Sequence, residues 1–220
     1  MAYADDKKLI AATRKAAKAF GVAAEWSAGK PVRVRNDFLL EMLLFFEVVA
    51  QFKGTGKYVL EFVAGTGRHK NAFPKAPADK AGRPRFIVKD FKGNPVCQVC
   101  AGTRVADKHG DQRGLDVSIQ SPLASNSPVH TDLIAIMDAK YKSDSNVRLT
   151  HGEYAGFHHW VEVFDLRREA SPRLLKGSML EGNCLVTNGQ PSTEATVGLR
   201  DGWVVEVSNF YPGLTLSRRP

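Results

Sequence analysis

Two carboxylates and a lysine stand where a buried strand should carry only apolar side chains. The run Leu133-Ile134-Ala135-Ile136-Met137 is continuously apolar, as in a strand covered on both faces, and it ends in Asp138-Ala139-Lys140. Side chains alternate along a strand, so Asp138 and Lys140 point to one face about 7 Å apart. An acid and a lysine at the margin of a core are costly unless paired with each other or bound to a metal. Upstream, Leu115-Asp116-Val117-Ser118-Ile119 embeds a second carboxylate in apolar alternation. If these strands pair, Asp116 and Asp138 face each other. With the carbonyl of Ala139 they make an oxygen-donor site suited to Mg²⁺ or Mn²⁺. Such an ion lowers the pKa of a bound water and neutralises charge developing on a phosphorane. Lys140 would orient the water or stabilise that charge. The plainer alternative is a structural Asp138–Lys140 ion pair, or two strand-end charges that reach solvent.

The elements that must position these residues follow from periodicity. Residues 5–20 (DDKKLIAATRKAAKAF) predict an amphipathic helix with acids in its first turn, Lys18 in its last and Gly21 as its stop. Residues 37–53 (DFLLEMLLFFEVVAQFK) predict a second helix, capped by Asn36 or Asp37, stopped by Gly54 and apolar nearly all round, hence buried. After the Gly54-Thr55-Gly56 turn the period drops to two. Strands are expected over 57–64, 85–89, 96–105, 115–120, 131–142, 183–188 and 203–208, with a helix over 151–168. The stretch between the first two strands, rich in Gly, Pro and base, is a loop. The order helix, helix, strands, helix, strands is that of a mixed α/β sheet with helices packed on it.

The chain has 220 residues, 43% hydrophobic and 25% charged, a composition that excludes wholesale disorder and collagen-like chains. Its longest apolar run, Phe38 to Ala50, is broken by Glu41 and Glu47 and is too short to span a bilayer. The first twenty residues hold no apolar leader core, so the expected location is cytoplasmic with no membrane association. Three cysteines do not make a disulfide scaffold. The net charge is +8, and it is clustered: residues 1–35 hold eight Lys/Arg against three acids, and residues 66–92 eight against two. Clustered base fits a polyanion such as nucleic acid, although solubility alone also accounts for net charge. Arg68, Lys70, Arg83 and Arg85 are the candidate contacts to a nucleic-acid backbone, which position a strand without reading its sequence.

Other motifs carry less. Cys97-x-x-Cys100 lacks a second Cys or His pair at zinc spacing and reads as core. Asp132 lies six residues before Asp138, about 20 Å away in an extended strand, so it marks the strand entrance. Gly65-Thr66-Gly67-Arg68 lacks the Gly-Lys-Ser/Thr of a phosphate loop. Trp160 and Phe164, four apart on a helix, read as core. Glu153, His158 and His159 could project toward the site and are not assigned to it.

Asp116 followed about two dozen positions on by Asp138-Ala139-Lys140 resembles the core of the PD-(D/E)XK nucleases. The string Asp138-Ala139-Lys140-Tyr141-Lys142 is similar to the ending found in the McrC-type branch, the nuclease subunit of modification-dependent restriction systems. The helix Leu40-Glu41-Met42-Leu43-Leu44-Phe45-Phe46-Glu47 is similar to that branch's Tyr-Glu-x-Trp helix, which selects Glu41 over Glu47 as the helix acid. Leu115 replaces the proline of the superfamily pattern, and the branch's large N-terminal specificity region has no counterpart here. The resemblance covers roughly residues 36–164. It implies a restriction-endonuclease-like α/β fold, a mixed central sheet flanked by helices, over residues 36–220, with residues 1–35 as a basic helical segment. It implies Glu41, Asp116, Asp138 and Lys140 as catalytic residues, Asp116 and Asp138 as metal ligands, and Mg²⁺-dependent hydrolysis of DNA, with RNA open, in antiviral defence or a mobile element. A homodimer or a protein partner, and a non-catalytic nucleic-acid-binding module on the same fold, are the alternatives.

Overall fold

A computed structural model of the chain describes residues 7–22, 35–67, 73–167, 174–193 and 202–219. Three α-helices flank one eight-stranded mixed sheet. The helices are α1 (Lys7–Ala19), α2 (Asn36–Gly54) and α3 (His151–Val163). The strands are β1 (Val59–Val63), β2 (Arg85–Lys89), β3 (Pro95–Ala106), β4 (Gln112–Gln120), β5 (Leu133–Lys140), β6 (Asn183–Thr187), β7 (Val204–Ser208) and β8 (Ser217–Arg219). They lie in the sheet in chain order. β1 to β5 form an antiparallel meander, β5, β6 and β7 are parallel, and β8 returns antiparallel. Consecutive parallel strands need a crossover, and α3 lies in the one that joins β5 to β6.

The helices divide between two apolar layers. Leu9 and Ala17 of α1 join Phe38, Leu39, Phe45, Phe46 and Val49 of α2 in one cluster with Phe86, Val99, Val117, Met137, Ala139 and Val186 from the sheet. Tyr154, Phe157 and Val161 of α3 form the second cluster, with Ile136, Leu185 and Val204. Adjacent residues such as Leu185 and Val186 serve opposite layers because strand side chains alternate. Every residue of β6 and β7 is buried, the expected state of parallel strands covered on both faces. In α2, Phe45 touches Phe46, Phe73 and Phe86 with ring centroids 5.0–5.9 Å apart.

Several boundaries depart from expectation for local reasons. β4 begins at Gln112 rather than Leu115, because the β3–β4 turn is tight: Asp107 accepts the N–H groups of His109 and Asp111, and Gly110 takes φ 90°. Residues 130–132 form a 3-10 turn instead of extending β5, with Asp132 Oδ2 accepting the Val129 N–H at 3.0 Å. α3 stops at Val163 rather than near Arg168, because Asp165 turns the chain at φ 55°. β8, too short to show a period, pairs with β7. At the head of α2 neither expected cap acts from outside the helix. Arg35 is the N-cap residue, without a side-chain cap, and Asn36 and Asp37 lie in the first turn.

The described part of the basic stretch between β1 and β2 forms no named strand, yet residues 73–83 are fastened to the sheet. Ala78 donates to the Gly102 carbonyl and accepts from the Arg104 N–H, both at 2.9 Å. Pro77 lies over Gly114, where a Cβ would come within 2.1 Å of the proline ring. Phe45→Ala is expected to lower unfolding free energy by about 3–5 kcal/mol, measured by chemical denaturation. A loss under about 1 kcal/mol would show that the phenylalanine cluster does not hold α2 to the sheet.

Candidate functional site

β5 changes partners where the acids stand. Its antiparallel ladder with β4 ends at the pair Val117↔Met137, and from Met137 to Lys140 it is paired in parallel with β6. Asp116 and Asp138 are the first residues beyond the last β4–β5 rung. On its other side β4 has a gap as well: the β3–β4 register passes from Ala101↔Val117 to Thr103↔Leu115, leaving Gly102, at φ 58°, and Asp116 between rungs. A backbone N–H at such a fork needs an acceptor. The Asp116 carboxylate supplies it, with Oδ2 accepting from the Ala139 N–H at 2.8 Å.

This brings Asp116 beside Asp138, whose charge acts on it. Asp138 is 5% exposed, and its Oδ2 lies 2.7 Å from Lys140 Nζ. Burial first, and then the charges of Asp138 and Glu41, push the Asp116 carboxyl well above the usual range, against a smaller pull from the Ala139 N–H. Burial on α2 is the main reason that the Glu41 carboxyl rises to about 7; Asp37 and Asp138 raise it further, while Arg35 and Lys140 oppose. Burial alone would lower Lys140, but the carboxylates of Asp138, Asp116 and Glu153 outweigh it and hold the ammonium above its ordinary value.

Glu41, Asp116, Asp138 and Lys140 thus act on one another in a single place, drawn from α2, β4 and β5. Glu47 is elsewhere in function: its Oε1 accepts from Gln51 Nε2 at 3.2 Å, one turn along the same helix. The helix and strand are also tied directly, Asn36 Nδ2 donating to Tyr141 Oη at 3.1 Å. Burial is the first cause of the raised pKa of both Glu41 and Asp116, and the neighbouring acids add to it. Among the described residues, no group of three or more His, Cys, Asp or Glu side chains is gathered closely enough to hold a metal ion.

The other candidates divide. Arg68 and Lys70 lie outside the described residues. Arg83 is half-buried in the loop, and Arg85 sits within β2 opposite Cys100, with its Nε buried and without a hydrogen-bond partner. Lys80, one of the bases counted for surface charge, is 2% exposed and donates to the Ala124 carbonyl at 3.0 Å. Burial lowers its pKa, so it adds little to a basic surface. Cys97 and Cys100 are buried free thiols whose pKa values burial raises. Trp160 and Phe164 pack in the α3 layer, and His158 lies against Arg167. The sequence reading left Glu153 unassigned. The structure puts both its carboxylate oxygens 2.7 Å from Lys142 Nζ, and the signal available was Thr150-x-x-Glu153, a capping-box spacing. Among the described residues, no helix is long and apolar enough to cross a membrane.

The Glu41 carboxyl gives a pH prediction. Its pKa is higher folded than unfolded, so the native state holds the proton more tightly between about pH 4.5 and pH 7. Stability then falls as pH rises through that window and stays reduced above it. Glu41→Gln should be more stable than wild type at pH 8, by up to about 3 kcal/mol, and no more stable at pH 4. Thermal melts across this range check it; a difference independent of pH would refute it. Compared with known proteins, the chain matches no family model, no curated protein and no solved structure, so the site's own geometry is what bears on function.

Proposed function

We propose that this protein is a metal-dependent nuclease with a restriction-endonuclease-like core, hydrolysing phosphodiester bonds in DNA. The observation that carries the reading is the fork: Asp116 and Asp138 converge where β4 and β5 part, with Lys140 on Asp138 and the Glu41 carboxyl acting on both. The element order supports it too. A helix bearing one acid precedes a meander bearing the second, and the Asp-Ala-Lys strand is followed by a helix and a parallel strand. RNA remains an alternative substrate, and a defence or mobile-element setting rests on the sequence resemblance alone.

Asp116 and Asp138, with the main-chain carbonyl of Ala139, would hold Mg²⁺ or Mn²⁺. Such an ion, when bound, supplies charge neutralisation at the phosphate and a more acidic water. The chain's own residues do the rest. Lys140, held charged by its acidic neighbours, presents its ammonium beside Asp138, where it can offset charge growing on a phosphate oxygen. Glu41, titrating near neutrality, is able to take up a proton at working pH. Asp116 fixes the Ala139 main chain by accepting its N–H and so keeps the two carboxyls in register. The remaining surface base would grip the backbone in a salt-dependent, sequence-independent way.

A second reading has its own support. The direct Asp138–Lys140 contact, and the lack among the described residues of three or more side chains gathered to hold a metal ion, suit a structural ion pair in a non-catalytic nucleic-acid-binding module. Cleavage of plasmid and linear DNA in Mg²⁺ or Mn²⁺ separates the two. The enzyme reading expects wild type to cut, and Asp138→Ala and Lys140→Ala to fold but lose a hundredfold or more in rate, roughly the scale of losing one preorganised charge-stabilising group. DNA binding without cleavage in either metal would leave the binding module. Mg²⁺ or Mn²⁺ should also raise the melting temperature of wild type and not of Asp116→Asn/Asp138→Asn, since a ligand that binds only the native state stabilises it. An equal shift in both would place the ion elsewhere.

A further inference from the structure

The second lysine of the Asp138–Lys142 string stands beside the site and is fully engaged. Lys142 Nζ lies 2.7 Å from both Oε1 and Oε2 of Glu153, with 10% of the lysine side chain exposed. Glu153 is the third residue of α3, and the same carboxylate closes a reciprocal cap. The Thr150 N–H donates to Glu153 Oε2 at 2.8 Å, and the Glu153 N–H donates to Thr150 Oγ1 at 3.1 Å. One carboxylate therefore caps a helix and neutralises a lysine on the strand that helix follows. The strand side is held as tightly. The Lys142 N–H donates to Asn188 Oδ1 at 2.6 Å, and Asn188 Nδ2 donates to the Lys142 carbonyl at 2.7 Å. Thr187 Oγ1 donates to the Lys140 carbonyl at 2.8 Å. At Gly189 a Cβ would stand 2.9 Å from Lys142 Cγ and 2.2 Å from the Val147 carbonyl, so the lysine stem passes where only glycine leaves room.

Lys140 stands two residues before Lys142, the lysine that Glu153 binds. The Lys140 ammonium contacts Asp138, and the Glu153 charge also acts on it. A half-buried glutamate deprived of Lys142 would seek another cation, and Lys140 is the lysine within its influence.

We propose that Lys142 and Glu153 are positioning residues that satisfy each other so that the Lys140 ammonium stays on Asp138, at the site, instead of turning to Glu153. The catalytic consequence rests on the nuclease reading; the positioning itself does not. Neither residue touches substrate, and the pair acts only through Lys140.

Lys142→Met tests this, because methionine keeps an unbranched stem beside Gly189 and removes the charge. In wild-type and variant enzyme assayed on DNA with Mg²⁺, kcat should fall roughly tenfold to a hundredfold, the scale of an ångström-sized misplacement, with KM within about twofold. Adding Glu153→Gln should restore most of the loss, since glutamine still serves the helix cap but no longer competes for Lys140. A merely structural pair predicts the reverse: the double variant would be less stable and no faster. Unchanged kcat in Lys142→Met, or a double variant as slow as the single, would overturn the proposal. A crystal structure of Lys142→Met gives the answer without any activity. Lys140 Nζ on Glu153 supports the proposal, and Lys140 Nζ still on Asp138 overturns it. If wild type does not cleave while Lys140 moves in this structure, the nuclease reading fails and the positioning stands.

Discussion

The N–H of Ala139 has to be satisfied, and the molecule satisfies it with a carboxylate. β5 leaves β4 after Met137 in order to run beside β6, and an amide at such a parting has lost its regular strand partner. Asp116 reaches across the fork to accept it. That single hydrogen bond sets a carboxyl against Asp138 inside a poorly solvated margin, and the rest of the site's electrostatics follows. The Asp116 carboxyl is pushed well above its usual range, Glu41 on α2 rises toward neutrality, and Lys140 is kept charged. Burial and neighbouring acids together keep these carboxyls harder to ionise than in water.

The change of strand direction also explains where the fork lies in the fold. Antiparallel pairs need only a turn, whereas the parallel pair β5–β6 needs a connection long enough to hold α3. The chain must therefore exit β5, cross over and return, and the carboxyl end of β5 becomes a rim between layers, the kind of place where α/β sheets bind ligands. This rim is braced from β6 by Thr187 and Asn188 and from α3 by Glu153. A strand end without these braces would fray, and a lysine displaced by one ångström is poorly aligned for chemistry.

α2 contributes in a different way. Its faces are apolar nearly all round because helix α1 packs on one side and the sheet on the other, with Thr13 Oγ1 of α1 lying 2.8 Å from the Leu9 carbonyl and 3.3 Å from the Leu39 carbonyl of α2. In so buried a helix each polar side chain needs an outlet. Asn36 finds Tyr141 and Glu47 finds Gln51. Glu41 stays half-buried within reach of the charges of Asp37, Asp138, Arg35 and Lys140, on a helix that Phe38, Phe45 and Val49 pack into the core.

The amino-acid sequence alone determined the elements and most of their order. Hydrophobic period separates the buried helix at 37–53 from the strands, and an acid embedded in an apolar strand is visible because burial of charge is rare. Hence Asp116, Asp138 and Lys140 could be singled out, and Cys97 and Cys100 assigned to core. Only the tertiary structure decided the rest, because it depends on contacts between residues far apart in the chain. Glu41 and Glu47 are both plausible until the helix is rotated against the sheet. Lys80 counts as surface charge until the Ala124 carbonyl closes over it. β8 is too short for any period to announce, and Glu153 reads as a helix cap until the exit of β5 delivers Lys142 to it. Local sequence encodes period and propensity, whereas the meeting of β4, β5, α2 and α3 at one fork is a property of the folded chain.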